Sequence, residues 1–352
     1  MANVRLAGTV RGERDPNREI RARLLYSLFR EGWDIYNSNG DQRITLCNIE
    51  KKIVESDAFV FTPGATLEDL FKVVSIFVGY QTLDHHLCAK PTVVLDADCS
   101  WSGFFKLLEH LRASGTVKQD PAEYLVRVED ADEVVGMLAA SRREGCPHVN
   151  EVNQRTGVLD SFENGFSKPV RGRVCVFCSA TIDEADYLAE GYEFGRVLAT
   201  AGLGCVSGAG TTGIMGEVVR GSVEAGGWTG GSNVPHIIQI EGIPDGLSSF
   251  WLRGDIYTRM EVMIERSDAF VIFPGGAGTV QEMLALMIMK HQGHPLVKGK
   301  PVVVYNRGGE FWAPLVELLA PWCEGGEFQV VEEFGLLLPT VEKLMAAEGS
   351  LV

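Results

Sequence analysis

At 352 residues the chain has length for about two domains, and 45% hydrophobic with 22% charged residues is ordinary for a globular protein with a real core. A formal net charge of −15 argues against a general binder of nucleic acid or anionic membranes, but not against a small anion held at one local site. Met1 leads straight into a charged stretch and no apolar run reaches the length of a membrane span, so a cytoplasmic protein is expected.

Val4 to Val10 reads as a first strand. A charged turn from Gly12 to Asn17 leads into a helix ending near Gly32, with Leu24, Leu25, Leu28 and Phe29 assigned to one face. Trp33 to Tyr36 is a short strand, Ile44 to Glu55 a helix, and Ala58 to Thr62 a strand that stops at Pro63-Gly64. Helices over Thr66 to Gly79 and Phe104 to Ala113 flank a strand over Thr92 to Leu95. The polar stretch from 141 to 171 reads as a linker. Eight cysteines are widely spread. Cys175 and Cys178 form a CxxC inside an expected strand, where i and i+3 face opposite ways, and no second pair completes a metal ligand set. Buried thiols in a reducing compartment are the default.

The second half restates the first. SDAFVFTPG at Ser56–Gly64 returns as SDAFVIFPG at Ser267–Gly275, 211 residues on, and KPTVVLDAD at Lys90 is answered by KPVVVYNRG at Lys300. The period is far longer than a solenoid repeat, so this reads as duplication of one α/β unit. The expected fold is two Rossmann-like, doubly wound parallel-sheet domains: residues 1–140, a linker over 141–171, and 172–352. The copies differ where chemistry would sit. The second reads PGGAGTVQE and the first PGATLED, two residues shorter, with Asp69 in place of Glu282 and, by the same offset, Asn48 in place of Arg259. The first copy therefore reads as a scaffold without the site, or as a site for a different ligand.

In the second copy Val174 to Ala180 is a strand, Glu184 to Ala201 an amphipathic helix, and Gly204 to Ser207 a short strand that runs into the glycine-rich turn Gly208 to Gly216. A second glycine-rich turn, Gly275 to Thr279, joins the strand Ala269 to Phe273 to a long helix. Neither turn has the dinucleotide fingerprint, and no GxxxxGK[ST] occurs. Two strand-to-helix turns at one crevice suit a phosphate and its sugar; close helix–strand packing is the other reading of the same glycines. Glu282, in the first turn of the motif helix, suits the helix dipole as well as a site. Arg259, near a helix start, reads either as an ion-paired residue or as a fork of donors for a phosphate or a leaving base.

On these residues the second half resembles the Lonely Guy family of cytokinin-activating phosphoribohydrolases, often mislabelled lysine decarboxylases. The family pattern PGGxGTxxE is met by Pro274, Gly275, Gly276, Gly278, Thr279 and Glu282. Its RKxxM is met by Arg259 and Met263, with Met260 where Lys is usual. Its GGGSxGLMG turn is matched loosely over Gly208–Gly216, with Ala209 and Thr211 as departures. The resemblance implies cleavage of the N-glycosidic bond of a nucleoside 5′-monophosphate, of the AMP or cytokinin riboside type, to free base and ribose 5-phosphate. It implies Arg259 and Glu282 as catalytic residues, and Gly210, Thr211, Gly275, Gly276, Gly278 and Thr279 as the phosphate and ribose cradle. It implies no cofactor and no metal. Family members are commonly homodimers, so the two domains are expected to form an internal pseudo-dimer in which the first completes the pocket wall, with further homo-oligomerisation left open. The alternative is a non-catalytic carrier of nucleotide or molybdenum cofactor; no lysine stands in a setting that marks a pyridoxal phosphate site.

Overall fold

The computed structural model describes residues 3–7, 15–37, 56–82, 90–141, 161–163, 170–323 and 326–351. The chain divides into two compact units, Met1–Val152 and Asn153–Val352.

In the first unit β1 (Asn3–Ala7) is flanked by β2 (Asp34–Asn37) and β3 (Ala58–Phe61), and β4 (Thr92–Leu95) and β5 (Leu125–Val128) extend the sheet. All neighbours are parallel, in the order β2-β1-β3-β4-β5. The helices are α1 (Arg18–Arg30), α2 (Leu67–Gln81), α3 (Ser102–Ala113) and α4 (Ala131–Ser141). Strand β3 is buried at every position, as expected for a short apolar run in a parallel sheet with helices on both faces. The expected helical face of α1 is corrected: Leu24 and Leu28 enter the core, but Leu25 is 37% and Phe29 75% exposed. The buried stripe of α1 follows Arg21, Leu24 and Leu28, an i, i+3, i+7 row that one helix face can place against a sheet. Strand β5 and α4 were not anticipated. Leu125–Val128 is a four-residue edge strand interrupted by Arg127, too short for a periodic signal. The expected helix over Ile44 to Glu55 and Asn48 lie outside the described residues.

The second unit has eight strands: β6 (Phe162–Glu163), β7 (Arg173–Phe177), β8 (Gly204–Ser207), β9 (Thr229–Asn233), β10 (Ser249–Leu252), β11 (Ala269–Ile272), β12 (Val302–Tyr305) and β13 (Gln329–Val331). Their order is β13-β12-β11-β7-β8-β9-β10-β6, parallel except for β6, which caps the edge antiparallel to β10. Its helices are α5 (Ala185–Thr200), α6 (Gly213–Glu224), α7 (Pro235–Glu241), α8 (Ile256–Glu265), α9 (Ala277–His291), α10 (Ala313–Leu319) and α11 (Phe334–Ala347). The chain steps outward from β7 through β8, β9 and β10, then returns to place β11 on the other side of β7. That reversal is a topological switch point, and the crevice it opens lies beyond the carboxyl ends of β7 and β11.

Both units are thus α/β with parallel sheets, and the order β2-β1-β3-β4-β5 recurs as β8-β7-β11-β12-β13. The register locates the difference. Val4 pairs with Ala58, 54 residues on, whereas Val174 pairs with Ala269, 95 residues on. The longer excursion of the second unit carries β9, α7, β10 and α8, for which the described residues of the first unit show no counterparts.

Candidate active site

Two glycine-rich turns meet at the switch point, and the end of β7 joins them. The Ser179 N–H donates to the Pro274 carbonyl at 3.1 Å, and the Ser179 carbonyl accepts from the Met215 N–H at 3.0 Å. In the first turn Ala209 has φ 54° and Gly213 φ 59°. A Cβ at Gly213 would lie 2.5 Å from the carbonyl carbon of Ala180, so both the left-handed backbone and the close approach require glycine there. In the second turn a Cβ at Gly275 would collide with the Thr279 hydroxyl, whereas one at Gly278 would meet nothing within 4 Å.

Each turn delivers the start of a helix. Thr212 caps α6 and Gly276 caps α9, both with extended backbone, and neither cap carries a side-chain hydrogen bond. Apart from the Met215 N–H, which the Ser179 carbonyl takes, the N–H groups that open the two helices have no cap side chain and lie at the positive ends of the helix dipoles, where an anion can use them. Gly276 is half-buried, Gly278 exposed, and Gly210, Gly275 and Thr279 buried. Thr211 is exposed; its N–H donates to the Glu241 carbonyl at 3.0 Å, and its hydroxyl donates to the same oxygen. Thr211 thereby fastens the first turn to the end of α7.

Arg259 rises from the first turn of α8, which Asp255 caps by accepting the N–H groups of Tyr257 and Thr258. Arg259 as a whole is 8% exposed. Its Nε donates to the Ser232 carbonyl of β9 at 2.9 Å and its Nη2 to the Gly208 carbonyl at 3.3 Å. A Cβ at Gly208 would run into Nη2, so this glycine makes room for the arginine. Nη1 has no protein partner among the described residues.

Glu282 lies one turn into α9 and is 8% exposed. Burial pushes its carboxyl up to about 7, with the Arg259 charge opposing and the Glu241 charge adding to the shift. The same carboxylate raises the thiols of Cys175 and Cys178, after burial itself. Those thiols resist ionisation, as buried structural cysteines do.

Glu241, Ser232 and Ser179 escaped sequence reasoning. Glu241 is the only Asp, Glu, Lys or Arg between Glu224 and Asp245, and that isolation in an apolar stretch was the available signal. Burial raises its carboxyl as well, with Arg259 opposing. One arginine thus sits within electrostatic reach of the buried Glu282 and the half-buried Glu241. Among the described residues no group of three His, Cys, Asp or Glu side chains could hold a metal ion.

The first unit treats the matching turn differently. Thr66 and Asp69 form a reciprocal capping box at the start of α2, and the Ser100 hydroxyl accepts from the N–H groups of Gly64 and Ala65 at 2.9 and 3.2 Å. Arg21 donates to Asp15, Thr62 and the Pro63 carbonyl. The donors that the second unit leaves open are satisfied here by the unit's own side chains.

Several known proteins are similar to this chain. Residues 215–336 match the family model described as "Possible lysine decarboxylase". A cytokinin riboside 5′-monophosphate phosphoribohydrolase of Mycobacterium tuberculosis is 28% identical over 177 residues, 50% of this chain and 88% of that protein. One of Rhodococcoides fascians is 31% identical over 157 residues, 44% of this chain and 76% of that protein. Among solved structures, a molybdenum cofactor carrier protein of Chlamydomonas reinhardtii matches 50% of this chain and 99% of its own at 21% identity, with a TM-score of 0.39. Motif, topology and the extent of the Rhodococcoides match lead to one statement: the chain belongs to the Lonely Guy family of cytokinin riboside 5′-monophosphate phosphoribohydrolases.

Proposed function

We propose that the second unit hydrolyses the N-glycosidic bond of a nucleoside 5′-monophosphate of the AMP or cytokinin riboside type, releasing the free base and ribose 5-phosphate. The observation that carries this reading is Glu282: a buried carboxyl pushed up to about 7, on a helix whose start, like that of α6, has no side-chain cap.

The 5′-phosphate rests on Gly275, Gly276, Gly278 and Thr279, with Gly210 and Thr211 bounding the same space. Phosphate binding supplies remote binding energy that fixes the sugar. The anomeric carbon then faces Glu282. Ionised Glu282 stabilises the oxocarbenium-like charge as the C1′–N bond breaks, and takes a proton from the attacking water. Arg259, held by two backbone carbonyls, directs Nη1 at the departing base or the phosphate and keeps Glu282 from being neutralised fully. A buried Met260 stands where the family pattern has Lys, so this chain brings one cation fewer to that position.

The test is to incubate the purified full chain with a panel of nucleoside 5′-monophosphates and assay free base by chromatography. Base release that disappears in Glu282→Gln supports the reading. Tight ligand binding with no base release from any member overturns it in favour of a carrier.

A further inference from the structure

Glu241 is the part of the site that the proposed reaction leaves unused. It closes α7, and Gly242, at φ 72°, turns the chain away after it. Its backbone carbonyl is occupied by Thr211, which pins this end of the helix to the glycine-rich turn. Its direction is therefore fixed by the main chain. Its Oε2 is buried and has no hydrogen-bond partner among the described residues. That oxygen stands against Gly210, where a Cβ would come within 2.5 Å of it.

None of the donors around it makes a hydrogen bond to this oxygen. The Gly210 N–H points at the Met215 sulfur, 3.2 Å away. The two arginine nitrogens nearest the turn hold the Ser232 and Gly208 carbonyls. A buried carboxylate oxygen without a donor is costly, and it persists in a folded protein when something other than the protein supplies the donor. Gly210 and Thr211, which Glu241 touches by side chain and backbone, belong to the turn that bounds the proposed nucleotide site, and the Glu241 charge is felt at Glu282. The sugar hydroxyls are the donors nearest the reacting anomeric carbon, and a carboxylate facing a ribose hydroxyl is a recurring solution in doubly wound folds.

We propose that Glu241 is a specificity-determining residue: its Oε2 accepts a hydrogen bond from the ribose 2′- or 3′-hydroxyl of the nucleotide and makes the site selective for ribonucleotides over deoxyribonucleotides. This rests on the nucleotide reading given above. A site built to bond a hydroxyl discriminates strongly against the analogue lacking it, because its own polar group is then left unpaired.

The test compares the full-length protein with Glu241→Ala and Glu241→Gln on AMP, 2′-deoxy-AMP, 3′-deoxy-AMP and IMP, reading kcat and KM separately. The wild type is expected to favour AMP over at least one deoxy analogue by about 100-fold or more in kcat/KM. Glu241→Ala should collapse that ratio by lowering turnover of AMP while leaving the discriminated analogue nearly unchanged. Glu241→Gln, which keeps an acceptor, should retain part of it. An unchanged ribose ratio with a lost preference for AMP over IMP would assign Glu241 to the base amine and overturn the proposal. An equal loss on all four substrates would make its role structural and overturn it too. If the wild type releases no base, calorimetric affinities for the same ligands and variants still decide the matter, and separate this proposal from the hydrolase reading.

Discussion

Glu282 carries the largest consequence at the scale of single residues. As the base it must be ionised, so kcat/KM is expected to fall as pH drops through about 7 and to level off above it. A bell inverted in sense, with activity lost above 7, would make it an acid instead. The same shift bears on stability. A carboxyl whose folded pKa lies above its unfolded value costs nothing below the unfolded pKa and costs progressively more as pH rises from about 4.5 to about 7. From 4.5 to about 7 that cost is on the order of 3 kcal/mol. Glu282→Gln should therefore melt several degrees higher than the wild type at pH 8, and no higher at pH 4, while losing turnover. Gly278 offers the opposite separation. Its surroundings are open within 4 Å, so Gly278→Ala should stabilise α9 by up to about 1 kcal/mol through helix propensity. The added methyl stands where the phosphate is to rest, so KM should rise several-fold in the same protein, as steady-state assays on a nucleotide will show.

The elements explain what a reader of the chain could see. Short buried strands beside helices with caps and apolar stripes were legible, and β4 and β8 fall at their expected bounds. Strand β9 was not: Thr229–Asn233 is buried throughout yet holds no large apolar residue. Its glycines answer in part to neighbours remote in sequence, since a Cβ at Gly230 would lie 3.1 Å from the Trp251 ring and one at Gly231 2.7 Å from Ala209. Burial of that kind has no periodic signature. Because β9 was missed, so was Ser232, which orients Arg259. Arg259 and Glu282 themselves were named from motif and dipole arguments, but their electrostatic neighbour Glu241 belongs to no motif. Helix starts also tell the two units apart. In the first, Ser100 fills the turn before α2. Ser100→Ala should lower stability by about 1 kcal/mol and leave base release unchanged, measurable by thermal melting and the chromatographic assay.

For the molecule as a whole, the repeated sheet order fits the duplication read in the sequence. The expectation that the two units work as an internal pair is tested by expressing Asn153–Val352 alone. A fragment cut at Arg171 would discard β6 and bare the edge of β10, so the longer one is the fair trial. Self-association or a large fall in turnover on separation supports the pair; a fully active monomer refutes it. No helix among the described residues is long and apolar enough to cross a membrane.

Ser179 holds one glycine-rich turn by its N–H and the other by its carbonyl. A single residue, through the two peptide units that flank its Cα, thus couples the turn proposed to hold the phosphate to the turn proposed to bound the sugar. Attempts to retarget this protein by remodelling either turn will disturb its twin.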